Sequence, residues 1–420
     1  MKHHVPGRSR PFLSVGLVLV LALFAAACGG DDDDDATASA DTTAPADDGG
    51  DDAGSGDVTF EGEIPFGFIT DRVGNLSQYG ESSYYGVHLA VDNINETGGI
   101  VVDGKHYELT LEECESRSEE AGAQSCAVEL VEDKGVKVVF GGISKLSPIV
   151  MRVTDPASAI YFSSSSAAAS FLGETNYMLA TLGDFSWKAD STFKAITEFY
   201  PDAKNLVMFG EDDATMAALK PLLEERAPDE GYELSFELVP TGTTDLSGAL
   251  TNVKNADPDV MIFVGTSPEF TQSVVRGVEE LDAAPAIYAY SGSCPAAVDA
   301  GVSRPYVGNT LVGADLDYPS TERAKEFAAE FEAVAGADVL KFPVLWNYDF
   351  VWVAAKAIEA AGTADDSDVI LDAMYDVSYD GVIGTVQFDR DSKTAAYGFE
   401  MCYTEGGTID PADSKYIAQD

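Results

Sequence analysis

Basic side chains are scarce in this chain of 420 residues, where 25 Lys and Arg face 72 Asp and Glu for a formal net charge of -47. Phosphate binding needs clustered Lys and Arg, so nucleic acid is excluded as a partner. Histidine is rarer still: of four, His3 and His4 sit at the extreme N-terminus and His88 and His106 lie beyond it. The five cysteines contain no CxxC pair, which leaves a zinc site without ligands at workable spacing. HExxH, GxSxG, GxGxxG and GxxxxGK[ST] are also missing, and with them the commonest signatures of metalloprotease, hydrolase and nucleotide chemistry. Paired acids carry no information in a chain so rich in them. The sequence therefore implies no cofactor and no metal, and does not read as an enzyme. Nor is there an apolar run long enough to span a bilayer, since residues 11–24 supply fourteen against the roughly 20 that a spanning helix needs.

That short run is the first positive feature. Lys2, Arg8 and Arg10 precede it and Ala25-Ala26-Ala27-Cys28 close it, the order of a secretory leader that is removed from the mature chain. Three alanines before cysteine resemble a bacterial lipobox, which makes 1–27 the signal peptide and puts a lipid on the Cys28 thiol. Leucine usually stands three before the cysteine, where this chain has Ala25. Ordinary cleavage with Cys28 as a bystander is the alternative. Within 28–57 the chain carries eleven Asp and no Lys or Arg, among Gly, Ala, Ser, Thr and Pro. Such composition cannot form a core, so the segment is expected to be a disordered, self-repelling tether averaging roughly 30 Å end to end. Removing the leader takes away three positive charges and no acids, for -50, and setting aside the eleven tether aspartates leaves about -39 on residues 58–420. That charge reads as a solvated surface.

An exported chain uses cysteine for disulfides. Beyond Cys28 there are Cys114, Cys126, Cys294 and Cys402, and four cysteines allow three pairings. Cys114 with Cys126 and Cys294 with Cys402 is the favoured set, because Cys126 falls on a helix following the strand that ends near Cys114.

Hydrophobic patterning organises the remainder, which is long enough for two cores. Short β-rich runs at 64–70, 108–114 and 136–141 alternate with amphipathic stretches at 79–95, 118–134 and 148–155, followed by strand-like 159–163 and 177–182. A second series has strands at 205–209, 234–239 and 260–264 and helices at 213–226, 246–255 and 268–281, with Asp245 as a helix N-cap. Further strands are expected at 287–290 and 310–314, and helices at 321–334 and 344–361. Residues 384–388 and 399–404 read as a hairpin around Asp389-Arg390-Asp391-Ser392. Alternation of this kind indicates βαβ units and parallel sheets covered by helices.

The helix ending in Asp92-Asn93-Ile94-Asn95-Glu96-Thr97-Gly98-Gly99-Ile100, the segment Thr244-Asp245-Leu246-Ser247 and the pair Tyr348-Asp349 occur in an order that resembles the type I periplasmic solute-binding proteins, in the leucine/isoleucine/valine-binding branch. The resemblance covers roughly residues 62–408. It implies an α/β fold of two Rossmann-like lobes joined by three crossing strands, with a ligand cleft between them. Lobe one is placed at 62–183 plus 316–380 and lobe two at 184–315 plus 381–410. In such relatives the cleft is lined from strand ends. By that correspondence Tyr79 packs on ligand, Ser144 or Lys145 meets a carboxylate, and Ser165 offers a backbone group. Ala167 replaces a threonine, for which Ser166 would compensate. Lobe two offers Phe185, Trp187, Asp212, Thr266, Ser267, Tyr290 and Ser291.

Two departures bear on the ligand. The acid that holds an amino acid's ammonium in relatives is missing from Tyr290-Ser291-Gly292-Ser293, and an aromatic that closes over ligand falls at about Ala214. An unpaired buried ammonium is costly, so either Asp184, Asp212 or Glu269 substitutes or the ligand is no α-amino acid. The second is preferred: a small amide, carboxylate or aromatic compound. What the resemblance implies is a monomeric, extracytoplasmic protein, anchored to the cell membrane through Cys28, that delivers a small molecule to an ABC-type permease. An amino-acid receptor of the same transport class, or a ligand sensor for a signalling partner, is the alternative.

Overall fold

The computed structural model describes residues 58–165, 168–182, 185–240, 242–265, 268–290, 294–309, 316, 319, 321–341, 344–345, 347–382, 384–396, 399–413 and 415–417. The leader, the tether and Cys28 lie outside the described residues, as do Ser166, Thr266, Ser267, Ser291 and the strand expected at 310–314.

The inner strands are short apolar runs buried at every position, such as 138–141, 160–163 and 260–264, as parallel sheets covered on both faces require. β1 (Glu63–Thr70), β2 (Ile100–Val102), β3 (Lys105–Glu115), β4 (Val138–Gly141), β5 (Ile160–Ser163) and β6 (Met178–Ala180) make one sheet in the order β2-β3-β1-β4-β5-β6, parallel except for β2. β7 (Asn205–Asp212), β8 (Glu233–Pro240), β9 (Val260–Val264), β10 (Ile287–Tyr290) and β11 (Tyr306–Asn309) make the parallel part of another, in the order β8-β7-β9-β10-β11. Each sheet is doubly wound in the same sense, with its order reversing between β1 and β4 in the first and between β7 and β9 in the second.

The helices are α1 (Ser77–Glu96), α2 (Glu120–Val128), which continues as a π-helical turn at Glu129–Asp133, α3 (Ser147–Thr154), α4 (Phe185–Phe199), α5 (Ala214–Arg226), α6 (Ser247–Asn255), α7 (Pro268–Leu281), α8 (Cys294–Asp299), α9 (Glu322–Ala335), α10 (Tyr348–Ala361) and α11 (Ser367–Met374). α1 buries Gly80, Ser83, Val87, Ala90 and Ile94, a stripe at helical spacing, and packs on α10. It stops at Gly98 and Gly99, with φ of +106° and +72°. A side chain at Gly99 would put its Cβ 2.1 Å from the Tyr107 carbonyl oxygen, so this turn needs glycine for both conformation and space.

The tail departs from the expected hairpin. β13 (Gly384–Phe388) pairs with β12 (Tyr379–Gly381) and β14 (Ala395–Ala396), whereas β15 (Phe399–Glu405) lies antiparallel to β11 and carries β16 (Thr408–Ile409) and β17 (Lys415–Ile417). Aromatic packing explains the parting. Phe66, Phe140 and Phe162 step across β1, β4 and β5, and Phe388 of β13 continues the row at 5.8 Å from Phe162 and 5.6 Å from Phe350 of α10. The Ala180–Thr394 bridge fixes the same strand pair beside β6. The chain thus passes between sheets three times, after β6, after β11 and after β14.

Other differences are small and local. Leu246 holds the N-cap of α6, and Asp245 accepts instead from the Ser247 backbone N–H at 3.1 Å and its hydroxyl at 2.6 Å. The helix expected from 344 starts at Tyr348, and α4, α8 and α11 were not anticipated; α4 opens on Phe, Ser and Trp, which are weak helix formers. Disulfides join Cys114 to Cys126 and Cys294 to Cys402. Among the described residues no helix is long and apolar enough to cross a membrane, and no cluster of three or more His, Cys, Asp and Glu is placed to hold a metal.

Candidate functional site

In doubly wound sheets the loops after the strand ends, at the points where strand order reverses, form the crevice that takes ligands. The first sheet builds its crevice around Asp71, directly after β1 and 1% exposed. Its carboxylate accepts from the Ile143 backbone N–H at 2.9 Å and from the Ser116 hydroxyl, which in turn accepts from the Ser118 N–H at 3.0 Å. One side chain therefore ties together the loops after β1, β3 and β4. Burial pushes its pKa up to about 6, and Glu115 adds to the rise, while the hydrogen bonds from Ser116 and Ile143 oppose it. Gly80 of α1 passes so close that a Cβ there would lie 2.3 Å from the Asp71 carbonyl oxygen.

The loop after β4 turns on Gly141 and Gly142, with φ of +88° and +66°, and the Tyr161 hydroxyl donates to both of their carbonyl oxygens at 2.9 and 3.2 Å. It delivers Ser144 and Lys145 on a 3₁₀ turn, Ser144–Leu146, where Lys145 is exposed. Tyr79, in the first turn of α1, is half-buried against the main apolar cluster. Ser163, which ends β5, and Ser164 and Ser165, which follow it, are all buried. The Ser164 hydroxyl donates to Asn347 Oδ1 at 3.4 Å, and Asn347 Nδ2 donates to the Ser83 hydroxyl, so the serine loop is keyed to α1 and to the start of α10.

The second sheet contributes from α4 and β10. Trp187 and Tyr290 are 7% and 1% exposed and belong to an apolar cluster that also holds Phe68, Phe140 and Phe162 of the first sheet. Lys188 is 4% exposed, with its ammonium 4.9 Å from the Phe185 ring centroid and 5.4 Å from that of Tyr290. The Tyr290 carbonyl oxygen accepts from the Gly265 N–H at 2.7 Å, which links the ends of β9 and β10. Asp212 ends β7 and is exposed.

Of the residues expected at the site, Trp187 and Tyr290 are both buried in the main apolar cluster, Ser165 and the Ser144-Lys145 turn lie at neighbouring strand ends, and Ser166, Thr266, Ser267 and Ser291 fall outside the described residues. Asp71, Lys188 and Asn347 were missed. The position of Asp71 directly after a buried strand was a usable signal, as was the i, i+3 spacing of Phe185 and Lys188 on a helix; Asn347 had none.

Two doubly wound lobes with polar and aromatic groups at their strand ends define a two-lobed α/β binding protein. The chain belongs to the periplasmic binding protein family, whose model matches residues 63–404. It is 25% identical over 361 residues to the Leu/Ile/Val-binding protein BraC3 of Rhizobium johnstonii, covering 84% of this chain and 94% of that one. The branched-chain amino acid transporter substrate binding protein LivJ of Streptococcus pneumoniae, solved with isoleucine, superposes with a TM-score of 0.66 at 22% identity, over 85% of this chain and all of that one. A Rhodopseudomonas palustris ABC-transporter solute binding protein, solved with p-hydroxybenzoic acid, gives 0.68 at 15% identity, over 85% and 97%. The family is one of binding proteins, not enzymes.

Proposed function

We propose that this protein is an extracytoplasmic, lipid-anchored receptor that captures a small molecule between its lobes and delivers it to an ABC-type permease. The lobes are drawn at 62–183 with 316–380 and at 184–315 with 381–410, amended by the packing of 384–396 on the first sheet. Closure of one lobe on the other would bury the ligand and set the spacing of the lobe tips that a permease reads. The tether through Cys28 keeps the receptor near its permease and raises its effective concentration there.

A single observation carries the ligand reading. β10 ends on Tyr290 packed beside the Lys188 ammonium, where amino-acid-binding relatives are expected to place an acid. The ligand is then a small amide, carboxylate or aromatic compound rather than a branched-chain amino acid. The names of the curated relatives favour the second reading, an amino-acid receptor of the same transport class. A thermal-shift screen of the mature chain against amino acids, amides, short carboxylates and aromatic acids separates the two. Ligand at 100 times its dissociation constant adds about 2.7 kcal/mol and raises Tm by a few degrees. Nanomolar binding of leucine or valine would overturn the first reading, and silence across the whole panel would count against a solute receptor.

A further inference from the structure

The loops after β1 and β3 are laced together by their own polar groups. The Glu115 carboxylate accepts from the Thr70 hydroxyl and the Arg72 N–H, each at 3.0 Å, and from the Arg117 N–H at 2.7 Å. The Ser118 hydroxyl donates to the Val73 carbonyl oxygen at 2.7 Å and accepts from the Leu76 N–H at 3.2 Å, which fixes the chain just before α1 and Tyr79. Asp71 carries this lattice to the loop after β4. Its Oδ1 accepts from the Ser116 hydroxyl and its Oδ2 from the Ile143 N–H, so both oxygens are committed within the protein. Burial pushes its pKa up to about 6, so the carboxylate is held there at a cost in stability.

The loop after β4 is held as closely. The Gly142 N–H donates to the Ile69 carbonyl oxygen at 3.3 Å, the Gly142 carbonyl oxygen accepts from the Ser147 hydroxyl at 2.8 Å as well as from Tyr161, and the Ile143 carbonyl oxygen accepts from the Leu146 N–H at 3.2 Å. These peptide groups are satisfied inside the protein, and what the loop can offer a solute begins at Ser144. Where Ser144 and Lys145 stand depends on the turn that Asp71 holds from within.

We propose that Asp71 is a positioning residue for ligand: it touches no solute itself, and by holding the loops after β1, β3 and β4 in one arrangement it sets the affinity of the first sheet's side of the crevice. The proposal rests on the solute-receptor reading and deepens it. A site whose loops take the ligand-ready arrangement in only a fraction of molecules binds more weakly by that fraction, whereas a loss of global stability elsewhere leaves affinity unchanged as long as the chain is folded.

The test titrates isoleucine, isovaleramide, isovalerate and p-hydroxybenzoate calorimetrically into the mature chain at neutral pH, below the melting transition of every variant. Asp71→Leu removes both acceptors and should raise the dissociation constant about tenfold or more for every solute the wild type binds. Asp71→Asn keeps an acceptor for Ile143 and a polar partner for Ser116, and should stay within about twofold of wild type. Arg304→Met is the control for stability alone. Arg304 precedes β11, at the end of the strands away from the crevice, and donates to Glu279 at 2.8 Å, so its loss should lower Tm and leave affinity unchanged. Wild-type affinity in Asp71→Leu would overturn the proposal, and so would equal weakening in Arg304→Met. A change in the ratio of isovalerate to isovaleramide binding in Asp71→Leu, or an Asp71→Asn as weak as Asp71→Leu, would show that the charge itself acts on the ligand, and overturns it too. Each of these outcomes leaves the receptor reading intact, whereas a wild type that binds no solute takes both down. Should Asp71→Leu fail to fold, Ser116→Ala, which cuts the same tie at its other end, decides the matter: weakening by about threefold or more supports the proposal and wild-type affinity refutes it.

Discussion

Replacing Asp71 by asparagine removes a charge from the one side chain that joins three loops of the first crevice. The wild-type carboxylate is 1% exposed and has its pKa pushed up to about 6 by burial, from an ordinary value of 3.8. A folded-state value raised this far means the native state holds its proton where the unfolded chain has released it. The protonated group's contribution to stability is fully present below 3.8 and is lost as pH rises through about 6, a change of about 3 kcal/mol. Asparagine keeps the acceptor for the Ile143 N–H and presents an amide to Ser116, whose hydroxyl can accept as well as donate. Denaturant unfolding of both proteins at matched pH values from 3.5 to 8, read as the difference between them, cancels the other carboxylates. The variant should gain on the wild type by about 3 kcal/mol across that range, with most of the change between pH 4 and 6. A difference that stays flat with pH, or one that moves in favour of the wild type as pH rises, would refute the assignment of a buried, destabilised charge to Asp71.

Two further outcomes are expected. The Cys294–Cys402 bridge closes a loop with a sequence separation of 108, against 12 for Cys114–Cys126, so in the chain-entropy account its loss costs about 4 to 5 kcal/mol and that of the shorter bridge about 3. Urea midpoints of the two double serine variants should follow that order, and the reverse order would show that local packing, not loop closure, governs them. Labelled palmitate should enter the full-length protein in a bacterial host and be lost in Cys28→Ala; unlabelled wild type would remove the lipid anchor and leave a secreted receptor.

Much of this molecule was legible one segment at a time. The run Val260-Met261-Ile262-Phe263-Val264 reads as a covered strand because each of its residues is apolar, and all five are buried. Thr97-Gly98-Gly99 reads as a helix stop because only glycine tolerates the conformations there. The favoured disulfide set also appears in the structure. The strand and the helix stop rest on the conformation or the average environment of a single segment, which local composition reports.

Pairings between distant segments were not legible in that way. Residues 384–388 and 399–404 have the alternation of a hairpin, yet Phe388 gains more from the row formed with Phe162 and Phe350, and β15 completes the edge of β11. Asn347 meets Ser83 and Ser164 across more than 180 positions of sequence, and Lys188 meets Tyr290 across about a hundred, with no periodicity to announce either. The sequence by itself determined the type of most of this protein's elements and its class. Which loops meet beyond the strand ends was decided by tertiary structure, because those contacts join residues far apart in sequence that only packing spread over the whole chain brings together.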